Sequence, residues 1–450
     1  MNLQTASREE LIQLILEQSE LIAELRRQIA LLEEQSELSG ELPHVAEPAP
    51  APRSPKVKPN RPQGERKPRK RRSRGYGRKR SKPTRQVTHA IDNCRHCGCT
   101  LQGGSVKRTR EVLHIPLAQV EVVEHLFIER HCPLCNRRQT PGAEVLRGEV
   151  LGRHRVSLQT MAMIATLREE GRLPIRTIRW ILQAFFGLEF SEGEIVAILH
   201  DVAERGREQV MAMRQQLRSS PVVHGDETSW REDGQNGYFW SFSTPRICYF
   251  EYRHSRSGQI VEDIMDVSPR TTMVCDFYGA YNRHRGPHQR CWAHLLRDIH
   301  DLRMHYPDHE EVQAWAKAVH ALYLTACAYR DRHQDAPWSQ RWTAARGFKA
   351  QLMMLCEPFL AEDVPQRVLC QRCQNFLNQL FHFVVDSRIP PDNNAAERII
   401  RPLTVCRKIS GGTRSPQGSE TKRILASLFG TWRLQGLNPL IACCRLLASP

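Results

Sequence analysis

Apolar side chains recur at alternating three- and four-residue intervals near the N-terminus, which predicts one helix over residues 7–36. Ser7 and Glu10 have the spacing of a capping box at its start. The apolar seam is typical of a short coiled coil and consists of Leu11, Ile15, Ile22, Leu25, Ile29 and Leu32, with Gln18 at one seam position. The pattern fits self-association of chains, and it also fits an amphipathic helix packed on its own chain.

Helical periodicity returns over residues 155–218. A second periodic run follows Leu173-Pro174-Ile175-Arg176 and breaks at Phe186-Gly187-Leu188. Ser191, with Glu194 three residues later, predicts the capped start of a further helix. A helix, a glycine turn and a capped helix are typical of a helix-turn-helix that reads DNA, and the same pattern suits a plain helical bundle.

From Pro221 the pattern changes to the two-residue period of strands. Strands are predicted at residues 222–230, 237–243, 247–252 and 272–276, with a helix over 258–265 before the last of them. Three strands, a helix and a fourth strand form the first half of a ribonuclease H-like sheet. The fold class predicted for this part of the chain is therefore α/β.

Acidic residues lie where a sheet of that kind would bring them together. Asp226 is in the first predicted strand, and Asp276 ends the fourth. Asp392 and the two prolines before it predict the start of a helix, and Glu397 would project from the first turns of that helix. Three carboxylates offer the hard oxygen ligands that Mg²⁺ prefers, and two ions about 3.5–4 Å apart would act on a phosphodiester. A helix cap at Asp392 and a surface salt bridge at Glu397 are the alternatives.

Charge is distributed unevenly along the chain. The formal net charge is +16, from 65 basic and 49 acidic residues, and the segment 56–85 holds fifteen basic residues and one acid, Glu65, so it carries +14 of it. Such a segment cannot bury enough apolar surface to fold alone, and it predicts salt-sensitive contact with DNA phosphates. A solvated basic linker has the same composition. The predicted DNA contacts are Arg69, Lys70, Arg71, Arg72, Arg78, Lys79, Arg80, and, after Glu397, Arg398, Arg401, Arg407 and Lys408.

Two C-x2-C pairs, Cys94/Cys97 and Cys132/Cys135, predict a structural zinc ribbon with four thiolate ligands. The residues between them alternate in the manner of strands over 120–128. Nearby Cys99, His96 and His131 are available as a substitute ligand. The fifteen cysteines, without an export signal, favour reduced thiols over a disulfide framework.

Three further residues or motifs are assigned lower rank. Cys370-x-x-Cys373 lies in a helical run without a second pair nearby, so core packing is favoured over metal binding. His294 follows a strand-helix junction, either near the acidic residues or as an ordinary helix histidine. Glu227 should point to the sheet face opposite Asp226.

The length of 450 residues suits several domains. No apolar run is long enough for a membrane span, and the N-terminus lacks the pattern of a secretory signal, so a cytoplasmic, nucleoid-associated protein is expected. The predicted segments are a coiled coil (1–40), a Pro-rich and basic linker (41–88), a zinc ribbon (89–150), a helical domain (151–218), the first half of the ribonuclease H-like core (219–300), a helical insertion (301–388), the last catalytic helix with a basic loop (389–430) and a C-terminal helical segment (431–450).

Four motifs occur in chain order: His224-Gly-Asp226-Glu-Thr228, Asp276-Phe-Tyr-Gly-Ala-Tyr281, Cys291-Trp-Ala-His294 and Asp392-Asn-Asn394-Ala-Ala-Glu397-Arg398-Ile-Ile-Arg401-Pro402. Together with the domain order and Gly436-Leu-Asn-Pro439 near the end, they resemble the large transposase of the insertion sequence 66 family, a TnpC-type DDE transposase of bacterial mobile elements.

The resemblance implies that Asp226, Asp276 and Glu397 bind two Mg²⁺ or Mn²⁺ ions. It implies metal-dependent cleavage at transposon ends and transfer of the 3′ ends into target DNA. Implied partners are double-stranded DNA, a second copy of the chain through the coiled coil, and accessory proteins of the same element. Two rival functions are a nuclease that only hydrolyses DNA and a catalytically idle DNA-binding descendant.

Overall fold

The computed structural model describes residues 82–113, 120–152, 154–265 and 270–449. The chain divides into two compact units, Met1–Leu113 and His114–Pro450. The predicted coiled coil and the basic residues between Arg69 and Arg80 lie outside the described residues. Among the described helices, none has the length and apolar character needed to cross a membrane.

The described part of the first unit is built around one tight turn. A single bridge pairs Asn93 with Thr100, antiparallel, and encloses the Cys94/Cys97 pair. Most of the remaining residues in this stretch are exposed.

The second unit begins with a short hairpin. Strand β1 (Arg130–His131) pairs antiparallel with β2 (Arg138–Gln139), and Cys132 and Cys135 lie in the turn between them. A 3₁₀ turn follows at Ala143–Leu146. The strand-like alternation over 120–128 does not produce a strand: these residues pair with no other strand in the described ranges, and Val122 is 89% exposed. Alternation alone does not make a strand, because a strand needs a neighbour for its backbone hydrogen bonds.

Three helices follow, as the periodicity predicts: α1 (Leu158–Glu169), α2 (Ile175–Phe186) and α3 (Glu192–Arg218). Gly187 ends α2 in the left-handed conformation at φ 64°, which glycine adopts without a Cβ clash. The Ser191 hydroxyl caps α3 by accepting a hydrogen bond from the backbone N–H of Glu194. The break and the restart predicted from sequence are confirmed.

Five strands form one sheet in the spatial order β5-β4-β3-β6-β7. They are β3 (Val222–Glu232), β4 (Gln235–Ser243), β5 (Cys248–Arg253), β6 (Thr272–Cys275) and β7 (His288–Arg290), with α4 (Gln259–Met265) between β5 and β6. The first three are antiparallel, joined at β3 and β4 by a two-residue turn, Asp233-Gly234, in which both φ angles are positive. Strands β6 and β7 are parallel to β3.

A helical block separates the sheet from the Glu397 helix in sequence. It contains α5 (Trp292–His305), α6 (Glu310–Arg332), α7 (Trp338–Cys356), α8 (Arg367–Asn375), α9 (Leu377–Leu380) and α10 (His382–Val385), with a 3₁₀ turn at Glu357–Phe359. Its core joins the sheet through Val222 and Val274. Cys370 and Cys373 are fully buried in this core beside Cys356, so the packing role predicted for the pair agrees with its position.

Three C-terminal helices follow: α11 (Asn394–Ser410), α12 (Pro416–Leu434) and α13 (Pro439–Ala448). Helix α11 packs on β3 and β4, where Ile400, Leu403 and Cys406 meet Trp230 and Phe239. Helix α12 packs on β5 and on α3. Helix α13 packs on α1 and also contacts α12 and α3.

Candidate functional site

The pairing of β3 with β6 brings two acids to the same edge of the sheet. Val222 lies opposite Thr272, and His224 lies opposite Val274, a constant offset of fifty residues. Continued for two more residues, that register places Asp276 beside Asp226 at the point where β6 ends. The Asp276 carboxylate accepts a hydrogen bond from the backbone N–H of Tyr278 at 2.9 Å, which fixes it in the following loop.

Glu397 reaches these acids because α11 starts beside β3. Asp392 accepts a hydrogen bond from the backbone N–H of Asn394 at 3.1 Å and so shapes the turn before the helix. Glu397 lies in the first turn of α11. The structure therefore brings Asp226, Asp276 and Glu397 to one region from three separate parts of the sequence.

Asn393 holds that helix start in place. It is 1% exposed, and its Nδ2 donates a hydrogen bond to the Gly225 carbonyl oxygen at 2.7 Å. Its Oδ1 lies 3.0 Å from His224 Nδ1, which must carry the proton because an amide oxygen only accepts. Its backbone N–H donates to Cys291 Sγ at 3.1 Å. Sequence alone marks Asn393 only as part of a motif, without a role.

The surroundings of Asp226 raise the pKa of its carboxyl group. Burial, followed by the negative charges of Glu227, Asp276 and Glu397, raises the pKa of Asp226 to about 7. A hydrogen bond from the Glu227 backbone N–H opposes that rise. A raised carboxyl pKa of this kind is expected at a site where acidic side chains converge and where a bound cation balances their charge.

Glu397 presents an unsatisfied acceptor to this region. Its Oε1 is buried and has no hydrogen-bond partner among the described residues. Two basic side chains lie just beyond hydrogen-bond distance of this oxygen: His294 Nε2 at 3.7 Å and Arg297 Nη2 at 3.9 Å. His294 therefore lies beside the site rather than away from it, which the sequence left open.

The carboxylates of Asp226, Asp276 and Glu397 do not offer three oxygen atoms within 4.8 Å of one another. Over the described ranges, one group of three side chains has all its ligand atoms within 4.8 Å of one another, and it is Cys94, Cys97 and Cys99.

The Glu227 carboxylate forms hydrogen bonds with side chains outside the group of three acids. Its side chain is 4% exposed and accepts hydrogen bonds from Arg256 and from the Tyr281 hydroxyl, both at 2.5 Å. Arg256 also stacks 4.0 Å from the centre of the Tyr278 ring. These contacts occupy both Glu227 oxygens and tie β3 to the loop after β6, in keeping with its lower rank in the sequence-based prediction.

The basic side chains of α11 divide into two groups. Arg398, Arg401 and Lys408 lie on the helix that carries Glu397, and all three are exposed. Arg407 instead turns to the sheet, where its Nη1 donates to the Ser229 carbonyl oxygen at 2.6 Å and to the Thr228 hydroxyl at 3.0 Å. Position along the helix distinguishes these residues, which the sequence grouped together.

Each C-x2-C pair forms the same kind of turn. The backbone N–H of Gly98 donates to the Cys94 carbonyl oxygen at 2.9 Å, and that of Asn136 donates to the Cys132 carbonyl oxygen at 3.0 Å. Both Gly98 and Asn136 have positive φ, 74° and 55°. Matching turns of this kind present the two thiols of each pair on one side of the loop.

The pKa of the first thiol in each turn is lowered. Hydrogen bonds from the backbone N–H groups of Cys97 and then His96 lower the pKa of Cys94. Those of Cys135 and then Leu134 lower the pKa of Cys132 in the same way. Cys99 joins the first pair, with its Sγ 3.2 Å from that of Cys97.

The comparisons with known proteins identify the family of the chain. The family model described as "Transposase IS66 family" matches residues 153–421, which is more than half of the chain and includes all three acids. The chain belongs to this family of transposases.

Two curated relatives come from Sinorhizobium fredii. The uncharacterized protein y4qI is 28% identical over 153 residues, 33% of this chain and 28% of that protein. The uncharacterized protein y4jD is 24% identical over 252 residues, 50% of this chain and 49% of that protein. The chain thus spans between about a quarter and a half of the length of these relatives.

Proposed function

We propose that this protein is a DNA transposase that cleaves DNA at transposon ends and transfers the resulting 3′ ends into target DNA. The observation that carries the proposal is the convergence of Asp226, Asp276 and Glu397 through the β3–β6 register and the hydrogen bond from Asn393 to Gly225. Membership of the transposase family supports it independently.

The fold supports the same function. Antiparallel strands β3 to β5, followed by parallel β6 and β7 in the order β5-β4-β3-β6-β7, are the arrangement typical of a ribonuclease H-like core. Helices α5 to α10 then constitute an insertion before the last catalytic helix, α11. In this interpretation the acids occupy the first strand, the end of the fourth strand and the final helix.

The residues present suit divalent cations. Glu397 Oε1 is a buried acceptor without a hydrogen-bond partner among the described residues, and burial together with neighbouring negative charges raises the pKa of Asp226. Mg²⁺ or Mn²⁺ would be held by Asp226, Asp276 and Glu397, and two such ions supply activation of the attacking oxygen and stabilisation of the leaving oxygen. Asn393 fixes the geometry of two of these ligands.

The remaining residues serve substrate binding. Arg398, Arg401 and Lys408 present positive charge on the helix of Glu397 and would bind the phosphates of double-stranded DNA. The basic residues Arg69 to Arg80 would add sequence-independent affinity. A homo-oligomer formed through the N-terminal segment would hold two transposon ends together, with accessory proteins of the element as further partners.

A structural Zn²⁺ is proposed for the thiols of Cys94, Cys97, Cys132 and Cys135. The two matching turns and the lowered pKa values of Cys94 and Cys132 support it. Thiolate is the form that zinc binds. Cys99 is an additional candidate ligand because it lies within the Cys94/Cys97 cluster.

A strand-transfer assay tests the function. Purified full-length protein, a labelled duplex carrying the element's own ends and a supercoiled plasmid are incubated with Mg²⁺ or Mn²⁺. Joined products are expected from the wild type, and from the control Glu311→Gln, whose side chain is exposed on α6. Asp226→Asn and Glu397→Gln should abolish them. Cleavage without joining would indicate a nuclease, and binding without chemistry an idle DNA-binding protein.

A further inference from the structure

Helix α7 of the helical block carries two tryptophans on its surface. Trp338 is 60% exposed and Trp342 is 38% exposed. Their rings stack with centroids 5.2 Å apart and an interplanar angle of 14°. Exposure of large aromatic rings to water is unfavourable for a folded chain. A stacked and exposed pair of tryptophans therefore indicates a binding surface.

The surroundings of this pair are positively charged. Helix α7 contains Arg341, Arg346 and Lys349 and no acidic residue. Lys349 Nζ lies 5.5 Å from the centre of the Trp342 ring, within the range of a cation–π contact. The Nε of Arg341 is buried and has no hydrogen-bond partner among the described residues.

Two nearby acids, Asp335 before α7 and Asp386 after α10, are outnumbered by the three basic side chains of the helix. Arg341 helps to keep the pKa of Asp386 low, after the larger effect of Arg388, so the two elements are close. Asp386 is already paired with Arg388, whose Nη2 lies 2.7 Å from its Oδ2. Aromatic faces combined with unmatched positive charge are complementary to an unpaired nucleotide, which offers a flat base and a phosphate.

The pair also lies near the active site along the chain. Asp386 precedes Asp392 by six residues, a span of at most about 20 Å even when fully extended. Lys349 Nζ, next to Trp342, donates to Asn378 Oδ1 at 3.1 Å, and Asn378 belongs to the segment that leads to the Glu397 helix. Helix α7 therefore contacts residues 378–386, the segment that leads to the Glu397 helix.

From this arrangement we propose that Trp338 and Trp342 form a stacking platform for an unpaired base of the DNA strand that is processed at Asp226, Asp276 and Glu397. Arg346 and Arg341 bind the adjoining phosphates. The inference rests on the proposed function for the identity of the strand. The platform itself binds single-stranded DNA whether or not the chemistry proceeds.

Binding is measured with full-length protein in EDTA, by fluorescence anisotropy of a fluorescein-labelled oligo-dT. Trp338→Leu and Trp342→Leu should each weaken binding about tenfold, the range expected for loss of one base–aromatic stack. Trp342→Phe should retain most of the affinity. The control is Leu324→Ala, because Leu324 is also exposed, at 52%, and lies on α6 outside the proposed platform. Unchanged affinity in both leucine variants would overturn the platform.

Photocrosslinking of the wild-type protein avoids any effect of substitution on folding. An oligonucleotide with 5-iodouracil should crosslink to the tryptic peptides 333–341 and 342–346, which contain the two tryptophans. Crosslinks confined to other peptides would refute the proposal. A change of oligomeric state in the leucine variants with unaltered oligo-dT affinity would instead assign the pair to contacts between copies of the chain. Failure of the joining assay alone would reject the transposase function and leave the platform standing.

Discussion

The side-chain amide of Asn393 donates a hydrogen bond to the Gly225 carbonyl oxygen, with Nδ2 and oxygen 2.7 Å apart. Gly225 immediately precedes Asp226, and Asn393 is the residue before the helix of Glu397. One buried amide thus couples two of the three acids, which are separated by 171 residues of sequence (397 − 226). The relative position of the acids depends on this bond as well as on the sheet.

Removal of that bond should affect catalysis and stability together. Asn393→Ala leaves the Gly225 carbonyl and the His224 ring without partners, and we expect a loss of about 1–3 kcal/mol in the free energy of unfolding. Joining should slow at least tenfold and recover in part at high Mg²⁺, because the acids remain present. Urea unfolding and the joining assay measure both effects. Asn236→Ala, at an exposed position of β4, is the control; a wild-type rate for Asn393→Ala would remove the coupling role.

The metal-free protein should become less stable as the pH rises. The pKa of Asp226 is about 7 in the folded state, against an ordinary value of 3.8. The folded state therefore holds a proton that the unfolded state releases between about pH 4 and 7, so stability falls across that window and levels off above it. Ionisation of Asp226 costs up to about 4 kcal/mol, since each pH unit between the two values is worth about 1.4 kcal/mol.

Asp226→Asn tests this assignment. In EDTA at pH 8 the variant should be more stable than the wild type, and the difference should disappear near pH 4, where the wild-type carboxyl group no longer carries the charge that burial penalises. Urea titrations at several pH values provide the measurement. Mg²⁺ should raise the stability of the wild type and leave that of Asp226→Asn nearly unchanged. An equal pH dependence in both proteins would show that another group titrates.

The sequence predicts the core strands and the three acids because their signals are local. Strand alternation identifies β3 and β6, and an acid near the end of each is visible without knowledge of the fold. Asn393 had no such signal, since its partners lie in β3, 168 and 169 residues away, and at Cys291. The strand-like alternation near Val122 produces no strand for a related reason: pairing depends on a neighbour that alternation does not specify.

A buried ion pair joins α1 to α12. Lys422 Nζ lies 2.7 Å from Glu169 Oε2, and the two side chains are only 6% and 4% exposed. Glu169→Gln or Lys422→Met leaves one charge buried without a partner, which should cost about 3–5 kcal/mol in urea unfolding. The double variant Glu169→Met/Lys422→Met removes both charges and should recover most of that loss. A double variant as unstable as the sum of the single changes would show that the charges act independently.

Gly412 permits the loop after α11 to approach the end of β3. Its φ is 128°, and a Cβ there would lie 2.0 Å from the Arg231 carbonyl oxygen, which accepts a hydrogen bond from the Thr413 N–H at 2.9 Å. Gly412→Ala should therefore lower the free energy of unfolding by at least about 1–3 kcal/mol. Gly347→Ala in α7 is the control: a Cβ at Gly347 would meet no atom within 4 Å, and helix propensity predicts a gain of about 0.5–1 kcal/mol. Equal effects of the two changes would contradict the role of Gly412.

Measurement of the zinc content of cysteine variants tests which thiols bind the ion. The wild type is expected to hold one Zn²⁺ per chain, measured by elemental analysis, and a strong chelator should release it. Cys94→Ser and Cys132→Ser should each lose the metal, because these are the thiols that backbone N–H groups prepare as thiolates. Cys99→Ser should retain it if Cys132 and Cys135 complete the site. Retention of zinc in Cys132→Ser together with its loss in Cys99→Ser would show that the Cys94, Cys97 and Cys99 cluster binds the ion without the second pair.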